Sequence, residues 1–153
     1  MRIAIERDLG ASPAVVWRHL TEPPLMNEWS RAAIEGVVPG EHGSFGSAGA
    51  RRRVRLPFPA RAVLLDEVVD EAAPPHALRY RVVGRHRLLR QHAGELRLEP
   101  NDGGCRLCWT VEARFVVPML GAAIGRFLHR ELGRSLDTLA SLVVAGPAAG
   151  PRR

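Results

Sequence analysis

The last long segment of this chain constrains its fold most. From about Pro118 to Ala145, Ile124, Leu128, Leu132, Leu136, Leu139 and Val143 recur at helical spacing, with Arg126, Arg130, Arg134 and Asp137 off the stripe. An apolar stripe of that length must be buried against something. No other segment predicts a helix of comparable length, so the partner has to be a sheet. The first helix signal is short: in ASPAVVWRHL (11–20) Ser12 reads as an N-cap, Pro13 as the first helical residue, and Val16, Trp17 and Leu20 as the packed face. Glu22-Pro23-Pro24 breaks it, and a second short helix carries Leu25, Met26 and Trp29.

The remainder alternates. Residues 2–9 place Ile3 and Ile5 on one face, and Ala33–Val38 reads as a second strand ended by Pro39-Gly40. Glycines 40, 43, 46 and 49 predict a loose loop or bulged strand over 40–50. Val54, Leu56 and Phe58 then share a face, with Arg51, Arg53 and Arg55 on the other, and Pro57 and Pro59 predict that this strand lies at an edge or ends in a bulge. Residues 60–71 are apolar on both parities, which leaves their facing unassigned. Leu78, Tyr80 and Val82 form the next inward set. His92, Gly94, Leu96 and Leu98 share a parity in the strand after it. Asn101-Asp102-Gly103-Gly104 is a hairpin signal, and Leu107, Trp109, Val111, Ala113 and Phe115 line one face of the longest strand. The order is strand, two short helices, about six strands and a long helix. That is an α+β layout: a curved antiparallel sheet of about seven strands wrapped around the C-terminal helix. Residues 1–145 read as one domain and 146–153 as a flexible tail.

Composition limits the chemistry. The formal charge is +6 and every one of the 22 basic residues is arginine, so no Schiff-base or phosphate-binding lysine is available. Arg51-Arg52-Arg53-Val54-Arg55 resembles a basic patch, but strand alternation splits its charges across two faces and aromatic residues are only 5% of the chain. Nucleic acid is therefore not an expected partner. With Arg85, Arg87 and Arg90 the arginines instead suit weak contact with an anionic membrane surface. No apolar run approaches the roughly 18 residues of a membrane span, and MRIAIERDLG turns charged too early for a signal peptide, so a cytoplasmic protein is expected.

Ser12-Pro13 followed by Val16-Trp17 and Leu20, Trp29 after the proline break, Pro74-Pro75 before the Tyr80 strand, and Gly103-Gly104-Cys105-Arg106-Leu107-Cys108-Trp109 at the hairpin exit carry a resemblance. Over about residues 2–143 the chain resembles the helix-grip fold of the START and Bet v 1 superfamily (SRPBCC), in its polyketide cyclase/dehydrase branch. Cysteines stand where small polar residues are common in that branch. The resemblance implies binding of lipids, sterols, polyketides or related molecules, and in some members cyclisation or dehydration. No catalytic motif carries over residue by residue.

Two functions follow as expectations. In the first, an apolar cavity between sheet and C-terminal helix binds a small hydrophobic ligand: lipid-like, polyketide or aromatic. Its lining would be Trp29, Arg52, Val54, Leu56, Phe58, Tyr80, Val82, His92, Leu96, Trp109, Val111, Phe115, Leu120, Ile124 and Leu128. In the second, a cyclase or dehydratase would use one general acid or base there, with His92 and Tyr80 the candidates. His92 reads first as a satisfied core histidine and only second as a proton donor to a bound carbonyl. Arg52 marks a pocket mouth or a contact for a ligand carboxylate. An interaction module regulating a partner protein is a third class. No cofactor is expected, and oligomeric state is left open. Cys105 and Cys108 form a C-x-x-C, but three residues apart on a strand they point to opposite faces, so neither a bridge nor a metal site is expected. Gly121 and Gly125 near the helix stripe provide either close helix–sheet approach or room for a ligand.

Overall fold

The structure is a computed structural model and describes residues 1–57, 59–117 and 119–145, without the side chains of Leu120 and Ala145. The expectations for Phe58, for a helix start at Pro118, for the Leu120 side chain and for the tail at 146–153 lie outside the described residues.

The alternating segments form β1 (Arg2–Leu9), β2 (Ala33–Val38), β3 (Arg51–Arg55), β4 (Leu64–Ala73), β5 (Ala77–Val83), β6 (Leu89–Asn101) and β7 (Gly104–Phe115). They make one seven-stranded sheet in the order β1-β7-β6-β5-β4-β3-β2. Every pairing is antiparallel. Consecutive strands from β2 to β7 are neighbours, and β1 returns to pair with β7, so β1 and β2 are the two edges. The β6–β7 hairpin closes where Asn101 pairs with Gly104. Gly104 has φ 142°, and a Cβ there would sit 2.6 Å from the Ala11 nitrogen. Only glycine fits that combination of backbone angle and crowding.

Helices α1 (Pro13–Thr21) and α2 (Pro23–Trp29) follow β1, and α3 (Leu120–Ala145) closes the fold. Ser12 caps α1 by accepting a hydrogen bond from the Val15 N–H, and Pro13 opens the helix. Helix α3 runs for 26 residues, about 39 Å at 1.5 Å per residue. Its buried stripe (Leu136, Leu139 and Val143) enters the core with Ile3, Ile5, Leu9, Leu107 and Val111 of β1 and β7. Burying each such side chain contributes roughly 1.5–3 kcal/mol. This patch of core explains why α3 needs no second long helix.

Two expectations require correction. Strand β3 is not at an edge, because it lies between β2 and β4. Nor does a bulge end it: the ladder stops at Arg55, so Pro57 falls beyond the last residue that must donate to it. The facing of residues 60–71 is also resolved. Leu65, Glu67 and Val69 turn inward and Asp66 outward; the second parity seen in sequence is Leu64, exposed, and Val68, half-buried, apolar residues on the outer face, while the register shift comes only after Val69.

Candidate functional site

Because α3 covers the β1–β7 side, the inner faces of β3 to β6 are left to a cavity. Its volume is about 110 Å³. An apolar cavity of roughly 150 Å³ is enough to hold benzene, so without rearrangement this space is on the scale of one ring. The sheet contributes Val54, Leu65, Leu96, Trp109 and Val111. From α1 and α2 come Leu20, Met26 and Trp29, and α3 adds Leu128 and Leu132. Ala32, Ile34, Leu56 and Pro57 form the more exposed rim. Trp29 and Trp109 meet edge to face, with centroids 6.3 Å apart, and the Trp29 Nε1–H is held by the His19 carbonyl at 2.8 Å.

Polar groups collect at the sheet end. Arg52 and Glu67 are cross-strand partners on β3 and β4, and their side chains meet at 2.6 Å with only 11% and 8% of their surface exposed. The Arg52 guanidinium stacks 4.8 Å above the Tyr80 ring. Tyr80 is 3% exposed, and its hydroxyl accepts a hydrogen bond from Trp109 Nε1 at 3.1 Å. Burial, reinforced by the Glu67 charge, pushes the Tyr80 phenol far above its ordinary pKa. His92 lies 6.2 Å from Tyr80 between ring centroids. It is 8% exposed, and its Nδ1 has no hydrogen-bond partner. Desolvation lowers its pKa, opposed by the Glu67 carboxylate, so at neutral pH the imidazole is uncharged.

A second polar group lies on the helix side. Buried Glu131 of α3 takes ion pairs from Arg31 and Arg134, and the Arg31 N–H donates to Ser135 Oγ at 3.0 Å. Arg31, Glu131 and Ser135 all border the cavity.

Of the residues expected around a ligand, Trp29, Arg52, Val54, Leu56 and Tyr80 border this space, as do His92, Leu96, Trp109, Val111 and Leu128. Val82, Phe115 and Ile124 do not. Strand β5 pairs with β6 only as far as Arg81, so Val82, which still pairs with Glu67 of β4, has no β6 neighbour despite its inward parity. Phe115 ends β7 beneath the first turn of α3, where a Cβ on Gly121 would meet its ring at 3.5 Å. Ile124 belongs to that same seated stretch, and a Cβ on Gly125 would stand 3.1 Å from Met1 Sδ. The two helix glycines therefore serve close approach, not ligand space. Arg52 borders the cavity as expected, with its charge already paired with Glu67. Cys105 and Cys108 are both free, with Cys105 buried, as their strand positions require.

Sequence reasoning missed Glu67, Glu131 and Ser135. Glu67 was hidden by the double parity of 60–71. Glu131 and Ser135 had a usable signal, since they fall three and seven residues after Leu128 on the same helical face. Among the described residues no group of His, Cys, Asp and Glu is arranged to hold a metal ion. Nor is any helix among them long and apolar enough to cross a membrane.

Comparison with known proteins agrees with this geometry. The family model described as polyketide cyclase / dehydrase and lipid transport matches residues 1–144. No curated protein matches the chain. Among solved structures, a Thermus thermophilus protein superposes with a TM-score of 0.75 at 18% identity, over 97% of this chain and 100% of its own. A START superfamily protein from Mycobacterium smegmatis gives 0.74 at 11% identity, over 94% and 97%. Norcoclaurine synthase from Thalictrum flavum, solved with dopamine and hydroxybenzaldehyde, gives 0.65 at 14% identity, over 97% and 89%. These likenesses establish the helix-grip fold.

Proposed function

The chain belongs to the polyketide cyclase/dehydrase and lipid transport family, and from that premise we propose that it binds a small hydrophobic molecule between its sheet and α3. The observation that carries the reading is the void itself. A domain of this size fills its interior at crystal-like density unless something else is meant to occupy it. Here Trp29, Trp109 and Leu96 border open space and the polar groups form two clusters, one on the sheet and one on α3, within mainly apolar walls, which is the usual composition of a ligand site. The two free cysteines suit a reducing, cytoplasmic setting. Native mass spectrometry of the gently purified protein tests the proposal. A mass excess matching a small molecule, lost on mild activation, is the expected result; an empty protein that also fails to take up aromatic or acyl probes would overturn it.

A carrier must meet the membrane or protein that loads it. Leu88, Val116, Val117 and Met119 are exposed beside Arg85, Arg87 and Arg90, which are in no ion pair among the described residues. That combination suits weak contact with an anionic bilayer. Co-sedimentation with anionic but not zwitterionic vesicles is the expected behaviour.

Catalysis is the second reading, favoured by one observation: uncharged His92 and Tyr80 share the cavity, and the His92 Nδ1 is unpartnered. Such an imidazole is able to move a proton on a bound carbonyl compound. Comparing turnover of a poly-β-keto substrate by wild type and His92→Ala tests this, and equal rates would remove His92 from any catalytic role.

A further inference from the structure

The apolar walls of the cavity accept almost any oily molecule, but its polar end is selective. Arg52 is matched by Glu67, and Glu131 by Arg31 and Arg134. Beside His92 and Tyr80, a carboxylate would therefore be a second anion next to an arginine that Glu67 already neutralises. That is a costly burial. Two neutral groups remain with capacity to spare. The Nδ1 of His92 has no partner at all. The Tyr80 hydroxyl accepts from Trp109, yet its own proton meets no acceptor among the described residues. Buried polar groups left in this state are rare, and each favours whatever pairs with it.

We propose that His92 and Tyr80 select an uncharged, ring-sized aromatic molecule carrying a hydroxyl group, and that their end of the cavity rejects the corresponding carboxylate. A hydroxyl is the complementary group because it donates and accepts at once. It takes the Tyr80 proton on its oxygen and pairs with His92 through its own hydrogen, or accepts from the imidazole if the ring presents N–H. The cavity volume of about 110 Å³ limits the bound part to about one ring. The proposal rests on the reading that this cavity takes a hydrophobic ligand.

Calorimetric titration of the full chain with phenol, toluene and benzoate, which share a ring and differ in the polar group, separates the two ideas. Phenol should bind about tenfold tighter than toluene, the scale of one buried hydrogen bond that satisfies an otherwise bare partner, and benzoate should bind weaker than toluene. His92→Leu should lose most of the phenol preference relative to its own toluene affinity, and its circular-dichroism spectrum and urea midpoint report separately that it is folded. In wild type, the ring-nitrogen NMR shifts of His92 should move with phenol and not with toluene, a measurement that needs no variant. Equal binding of phenol and toluene, a phenol preference that survives His92→Leu, or unmoved His92 shifts would overturn the selection and leave the cavity reading standing. Failure of all three probes to bind would remove the cavity reading and this inference with it.

Discussion

Tyr80 lies directly across from Gly94, and its ring fills the space that any other residue at 94 would need for a Cβ atom. That atom would stand 2.5 Å from Tyr80 Cε1 and nearer still to Cζ and the oxygen. The glycine lets the ring lie flat on the sheet and carry its hydroxyl to Trp109 Nε1. Sheet register thus sets the polar end of the cavity.

Gly94→Ala should therefore destabilise the fold by about 1–3 kcal/mol, the range for forcing extra volume into a packed core. An aromatic ring cannot yield as the end of a flexible side chain can. Urea unfolding measures the loss. With Tyr80→Leu the two changes should be non-additive by at least about 0.5 kcal/mol, because the smaller side chain vacates the contested space. Strict additivity would show that the ring is not what the new methyl meets.

The fold was legible in sequence because it is written in periods. Leu136, Leu139 and Val143 keep helical spacing and Leu107, Val111 and Ala113 keep strand spacing, and all six are buried. The site was legible only where parity and pairing coincide, as at Tyr80, Leu96 and Trp109. Parity says which way a side chain points, but not whether the neighbouring strand is still there. Val82 points inward past the end of the β5–β6 ladder, and Phe115 lies under the first turn of α3. Glu67 was hidden by the double parity of 60–71 and by its partner as well. A buried carboxylate makes sense only with its arginine opposite, and that Arg52 lies across a strand pairing that composition does not reveal.

Breaking that ion pair from one side should be costly. Both side chains are about nine-tenths buried, so Arg52→Met or Glu67→Leu alone strands an uncompensated charge and should cost about 3–5 kcal/mol. The double variant should recover most of the loss, since well-packed apolar residues replace a buried pair at little net cost. Chemical denaturation of the two single variants and the double decides the matter. A double variant no more stable than either single one would mean that the pair holds the local backbone, not merely its own charge.

Acid should weaken the fold through His92. Desolvation holds its native pKa below the ordinary 6.5, with Glu67 opposing and Arg52 and Tyr80 close by. The unfolded chain then binds the extra proton first. Stability from this group is complete above about pH 6.5 and is lost as pH falls below it towards the native pKa. Unfolding free energies measured at about pH 7 and about pH 5 should fall less steeply for His92→Gln than for wild type. Parallel slopes would show that the imidazole does not stay neutral in the folded protein.

The helix glycines offer the opposite sign. A methyl on Gly121 would meet the Phe115 ring at 3.5 Å, an ordinary van der Waals contact, and no part of it would enter the cavity. Replacing glycine by alanine where the native backbone suits both residues stabilises by about 0.4–1 kcal/mol through the reduced freedom of the unfolded chain. Gly121→Ala should therefore raise the melting temperature and leave the affinity for toluene unchanged. Gly125→Ala meets Met1 Sδ at 3.1 Å, tighter but against a side chain that can swing aside, so its gain should be smaller. If Gly121→Ala instead stabilised the protein while weakening ligand binding, the glycine would be making room for ligand after all, and the first turns of α3 would have to lie farther from the sheet than Phe115 and Met1 now hold them.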